Sequence, residues 1–110
     1  MTVYVDNIRI PAKVARFDAR WSHLIADTQE ELHAFAARLG LRRSYFQDPT
    51  VNGKPKAPPG TLAAENWHYD VTESKRQAAI RLGAVAVDFM ELPAIIEARW
   101  IAQKSGDLRG

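Results

Sequence analysis

The stretch DTQEELHAFAARLGL, residues 27–41, decides how the chain is read. Thr28 and Glu31 have the spacing of a capping box, in which the hydroxyl accepts from a free amide and the carboxylate reaches back. Leu32, Phe35, Ala36 and Leu39 recur at i, i+3, i+4 and i+7, which lays one apolar stripe along a helix. Gly40 then stands where a left-handed residue ends a helix, with Leu41 packing behind it. The same grammar returns at residues 72–84, where Thr72 opens a helix and Arg81-Leu82-Gly83 closes it before Ala84. Two αβ units with glycine stops explain this echo without an ancestral duplication.

Working outward, TVYV at residues 2–5 is rich in β-formers and reads as a strand. Asp6 and Asn7 end it, and a second extended stretch at residues 8–10 stops at Pro11. Residues 21–25 partly alternate, with Trp21, His23 and Ile25 on one face and Ser22 and Leu24 on the other. SYFQ at 44–47 and AVAVDF at 84–89 read as further strands. The second helix starts near Asp70 or Thr72. Pro93 sits in the first turn of a third helix that buries Leu92, Ile95, Ile96 and Trp100. Strands alternating with helices predict a small, single-domain α/β layered fold with a largely parallel sheet and about three helices. Its expected core is Leu32, Phe35, Leu39, Ile80, Leu82, Val85, Val87, Ile95 and Ile96. The domain spans residues 1–103. Residues 48–60 hold four of the six prolines and read as a mobile loop; residues 104–110 read as a frayed polar tail.

Composition narrows the function classes. The 110 residues are 46% hydrophobic and 25% charged, the balance of a folded globular chain rather than a disordered or collagen-like one. There is no cysteine, which excludes disulfides, thiolate metal sites and thiol nucleophiles. No apolar run approaches the ~18 residues of a membrane span. The N-terminus lacks a secretory layout, so the cytoplasm is the expected compartment and no membrane partner is expected. The net charge of +2 is too balanced to imply nucleic acid by itself, and does not rule it out. The positive charge is local: residues 1–60 carry nine cations against six acids. A domain this small gains from self-association, so a homo-oligomer is an expectation.

The standard catalytic and phosphate-binding motifs are missing. What remains is polar chemistry at strand ends and helix starts. His68, Tyr69 and Asp70 lead into a helix whose first turn holds Lys75 and Arg76; free amides there attract anions. Arg76 suits a bidentate phosphate contact and Lys75 a point charge. In a turn His68 and Tyr69 face one opening; in a regular strand only one of them does. Trp21 and His23 join from a neighbouring strand. The expected ligand-binding set is therefore His23, Trp21, His68, Tyr69, Asp70, Lys75 and Arg76, with capping alone as the bland alternative for residues 70–76. No motif calls for a cofactor, and no metal is assigned. A three-histidine site of His23, His33 and His68 is the metal alternative, with Asp6 or Asp70 as carboxylate ligands for a harder ion.

Several strings carry a family resemblance: VYVD near the start, RWSHLIADTQEELHAFAARLGL, YFQ, and HYDVTESKRQAAIRLGA. Over residues 2–87 the chain resembles the small bacterial and phage proteins grouped as domain of unknown function 4031. The resemblance implies a compact cytoplasmic protein and brings no activity or catalytic residues. It makes the proline-rich segment 48–60 look like a variable insertion.

The leading functional expectation is a domain that binds a nucleotide or another phosphorylated small ligand, with aromatic rings for stacking and a basic segment nearby. The rival is a metal-dependent phosphoesterase or nuclease, in which His23 or His68 acts as general acid or base. A protein-interaction module is the third reading. Turnover that requires a metal separates the rival from the first.

Overall fold

β-branched and aromatic residues in the first third of the chain build most of one sheet. The computed structural model describes residues 2–109, with side chains from 2 to 104. Strands β1 (Val3–Val5), β2 (Ile10–Val14) and β3 (Phe17–Ala26) come first. Helix α1 (Gln29–Arg38), a single helical turn α2 (Pro49–Asn52) and strand β4 (Tyr69–Thr72) follow. Helix α3 (Glu73–Arg81), the two-residue strand β5 (Val85–Ala86) and helix α4 (Leu92–Arg109) complete the order. Three short 3-10 turns, at Arg43–Tyr45, Ala63–Glu65 and Phe89–Glu91, join these elements. The side chains of the expected frayed tail from residue 105 onward, and all of residue 110, lie outside the described residues.

The sheet is mixed but mostly antiparallel, which corrects the expected largely parallel arrangement. β3 pairs antiparallel with β1, β2 and β4, and only β1 with β5 runs parallel. Leu24 pairs with both β1 and β4, and Trp21 with both β2 and β4. β4 therefore occupies one edge of β3, and β1 and β2 share the other. The alternation of strand and helix in sequence does not fix strand direction. More than 40 residues separate β3 from β4, enough chain to return either way.

Two expected strands shrink. SYFQ forms a 3-10 turn at Arg43–Tyr45, with Gln47 alone bridging to His68. AVAVDF keeps only Val85–Ala86 in the sheet. Conversely, β2 runs straight through Pro11. It is an edge strand paired only with β3, so one side of its backbone needs no amide donor.

Both glycine stops form as read. Gly40 has φ +79°, its N–H donates to the Ala37 carbonyl, and Leu41 N–H donates to that of Ala36. Gly83 has φ +109°, with the matching bonds to Ile80 and Ala79. These are paired Schellman closures. Thr28 accepts from the Glu31 amide and Thr72 from the Lys75 amide, so Asp70 is a strand residue and not the cap.

The core joins Val5, Leu24, Ala26, Leu32, Phe35, Leu39, Tyr69, Val71 and Ala79, with Ile80 partly buried against it. Of the expected core, Leu82 and Val85 are exposed instead, and Val87, Ile95 and Ile96 are half-buried outside the core cluster. Leu82 is the C-cap of α3 and Val85 lies in β5, a two-residue sheet edge, so neither of these two has a layer above it.

Candidate functional site

The β3–β4 register assembles the site. His23 lies opposite Asp70, and Trp21 opposite Thr72, while Ser22 faces Val71 and Leu24 faces Tyr69. Side chains alternate along strands, so His23 and Asp70 project from one face and Leu24 and Tyr69 from the other. His68 is bridged to Gln47 and stands two residues before Asp70, on Asp70's face. His68–Tyr69–Asp70 is thus a strand: His68 and Asp70 share an opening, and Tyr69 turns away into the core.

The two histidines and the carboxylate converge. One potential ligand atom each from His23, His68 and Asp70 lies within 4.8 Å of the others. The imidazole rings meet edge-on with centroids 5.0 Å apart. His68 Nε2 sits 3.4 Å from Asp70 Oδ1. The far nitrogen of each ring is held: His23 Nδ1 by Asp6 Oδ2 at 2.8 Å, and His68 Nδ1 by the Asn66 carbonyl at 2.9 Å. With Nδ1 of each ring engaged in this way, Nε2 is the nitrogen left for the cluster, and that of His68 faces Asp70. Asp6 is fully buried at the end of β1 and also accepts from the His23 amide at 2.8 Å. Gln47 donates to Asp70 Oδ2.

This wiring sets the charges. The hydrogen bond that the His23 ring donates to Asp6 raises its pKa above the ordinary value, against the opposing pull of burial. Burial works to raise the Asp70 carboxyl. Hydrogen bonding and charge from His68, with His23 and Gln47, outweigh it and hold the carboxyl below the usual range.

The cluster opens into a cleft of about 860 Å³. Trp21, Thr72 and Lys75 line it beside the cluster, and so do Tyr45 and Phe46 from the first 3-10 turn. The Lys75 ammonium is steadied by the Leu39 carbonyl at 2.6 Å.

Of the expected ligand-binding set, the structure thus brings Trp21, His23, His68, Asp70 and Lys75 to one cleft. It places two elsewhere. Tyr69 is buried, and its hydroxyl meets His33 Nδ1 at 2.9 Å. Arg76 is also buried, and its Nε donates to the Asp6 carbonyl at 2.7 Å. It braces the residue that holds His23.

His33 does not join the other histidines. It packs edge-on against Phe46 and Tyr69 on the core side, where burial and Arg43 lower its pKa. Asp70 takes the third corner instead. Sequence reasoning misses Gln47, and no local signal marks it; its place depends on the bridge to His68. A second cavity of about 440 Å³ lies beside Trp67 and Arg99. Arg99 stacks 3.7 Å from the Trp67 ring centroid, and burial lowers its pKa to about 10.

No helix among the described residues is long and apolar enough to cross a membrane. Neither the curated proteins nor the solved structures include a match to the chain. A family model for the proteins of unknown function DUF4031 matches residues 3–99, and the chain belongs to that family.

Proposed function

We propose that the cleft holds a divalent transition metal on His23, His68 and Asp70, and that the protein is a metal-dependent hydrolase acting on a phosphate ester. The observation that carries this reading is the pair of outer contacts, Asp6 on His23 and the Asn66 carbonyl on His68. Histidines that ligate metals donate their second nitrogen to a carboxylate or carbonyl, which fixes the ring and raises its basicity. Three protein ligands facing an open cleft leave coordination positions for water and substrate, the arrangement of catalytic rather than structural sites. Two imidazoles and a carboxylate suit zinc, iron or manganese better than calcium.

The metal, when bound, would acidify a water and polarise a phosphoryl oxygen. The chain's own contribution is orientation. Asp6 and the Asn66 carbonyl fix the two imidazoles, and Gln47 steadies the Asp70 carboxylate. Lys75, which lines the same cleft, favours an anionic group there.

Cobalt(II) tests the site, because its visible absorption reports coordination number. The parent should bind one equivalent with four- or five-coordinate spectra, and His68→Ala and Asp70→Ala should lose it. Hydrolysis of bis(p-nitrophenyl) phosphate should require the same ion and the same residues. Binding that survives both variants would overturn the site. Metal binding without turnover, with a phosphorylated ligand recovered intact, would favour a binding domain over an enzyme.

A further inference from the structure

The hairpin of β2 and β3 carries a feature that the metal cluster does not use. Its register pairs Ile10 with Trp21, Ala12 with Ala19 and Val14 with Phe17. Directly opposed residues share a face, so these six apolar side chains form one side of the arm. Pro11 with Arg20 and Lys13 with Asp18 form the other side. The arm is amphipathic, yet every residue of β2 is exposed, and Val14 and Phe17 are 53% and 58% accessible. Ala19 and Trp21 are half-buried, and nothing among the described residues covers Ile10, Val14 or Phe17.

That face is a wall of the cleft. Ile10, Val14, Phe17 and Trp21 line the same opening as His23, His68 and Asp70. Trp21 and His23 are two residues apart on one strand face, so the apolar wall runs directly into the metal cluster. Leu41, Tyr45 and Phe46 border the cleft from the segment after α1. Trp21 is fixed in this wall by its indole N–H, which donates to the Ala12 carbonyl at 2.9 Å.

We propose that this arm is the specificity wall of the cleft, and that it selects phosphate esters whose other end is a flat aromatic ring of nucleobase size. The proposal rests on the metal reading above and adds the substrate class to it. A ligand anchored by its phosphate at the cluster has its remaining atoms laid along the near end of the arm, at Trp21 and Ile10. Trp21 of the arm and Tyr45 of the 3-10 turn both line that cleft. Flat rings gain from stacking on such side chains at small entropic cost. The cleft volume of about 860 Å³ is that of a single small-molecule site rather than a macromolecular groove. The charged side of the arm stays in water, so the arm needs no second protein layer to be soluble.

The test compares adenosine 5′-monophosphate with ribose 5-phosphate on the zinc-loaded protein, by calorimetry at fixed ionic strength. These share the phosphate and sugar and differ in the ring. The nucleotide should bind at least about tenfold tighter, the scale of one stacked ring. Trp21→Ser and Ile10→Ser, at the end of the arm next to His23, should bring the ratio close to one while zinc affinity stays at the parent value. Ile10 is exposed and neither residue belongs to the core cluster, so the variants keep the core intact. Equal affinity for the two esters in the parent, or a ratio that survives both substitutions, would overturn the arm's role and leave the metal site standing. Failure to take up zinc would overturn the metal reading, and this proposal with it. If the parent sediments as a dimer that Phe17→Ser converts to monomer, the face belongs to a second copy and the proposal is wrong.

Discussion

Replacing Arg76 by alanine should destabilise the fold by about 2–4 kcal/mol. Arg76 is 7% exposed, and its Nε donates to the Asp6 carbonyl across 70 residues of sequence. Removing the guanidinium strands that carbonyl beside the buried Asp6 carboxylate. Losing a hydrogen bond from a charged donor costs about 1.5–3 kcal/mol. The packed stem adds a void worth about a further 1 kcal/mol. The second contact, Arg76 Nη1 to Glu73 Oε2 at 3.3 Å, adds little because Glu73 is 37% exposed. For a domain near 100 residues the total lowers Tm by about 10–20 °C. Urea unfolding followed by far-UV circular dichroism measures the change. Glu73→Ala, which removes only the partly exposed partner, should cost under about 1 kcal/mol in the same assay. Arg76→Lys keeps the charge but not the planar fork, and should fall between the two. A loss below about 0.5 kcal/mol for Arg76→Ala would show that Arg76 is a solvated helix residue and that Asp6 needs no brace.

Other outcomes follow from the same geometry. Leu32 is fully buried, so Leu32→Ala should cost about 2–5 kcal/mol in urea unfolding. Gly83 has open space where a methyl group would stand but a φ of +109°, so Gly83→Ala should cost about 1–2 kcal/mol of backbone strain alone, read from the shift in unfolding midpoint. His33 should make stability pH-dependent. Burial and Arg43 depress its folded pKa, against a weaker opposing effect of Glu30. The unfolded chain therefore binds the proton first, and stability is lost as pH falls from the ordinary histidine value of about 6.5 through the folded value. Unfolding curves across that window should flatten in His33→Gln; an unchanged slope would place the pH dependence elsewhere.

What the sequence made legible follows the reach of each interaction. The caps at Thr28 and Thr72 and the stops at Gly40 and Gly83 bond residues at most five apart, so a reader of local pattern finds them. Sheet direction depends on where a strand lands after a long excursion, and β4 lands antiparallel to β3 with no local mark of that choice. Arg76 shows the same limit. Glu73-Ser74-Lys75-Arg76-Gln77 reads as a solvated helix face, and only the approach of Asp6 from β1 makes its fourth member a buried strut. The site lies between these cases. Once His68–Tyr69–Asp70 is known to be a strand, alternation alone sorts it: His68 and Asp70 to the cleft, Tyr69 to the core and His33. The alternating half of β3 places Trp21 and His23 on the matching face. Local pattern therefore held most of the cleft residues, and a single long-range fact, the pairing of His23 with Asp70, brings them together. That pairing also explains why the third histidine is excluded. His33 reaches Tyr69, the residue between His68 and Asp70, and a strand cannot show adjacent side chains to the same side. The core face thus holds the helical layer to the strand, while the opposite face of that strand is left free to carry chemistry.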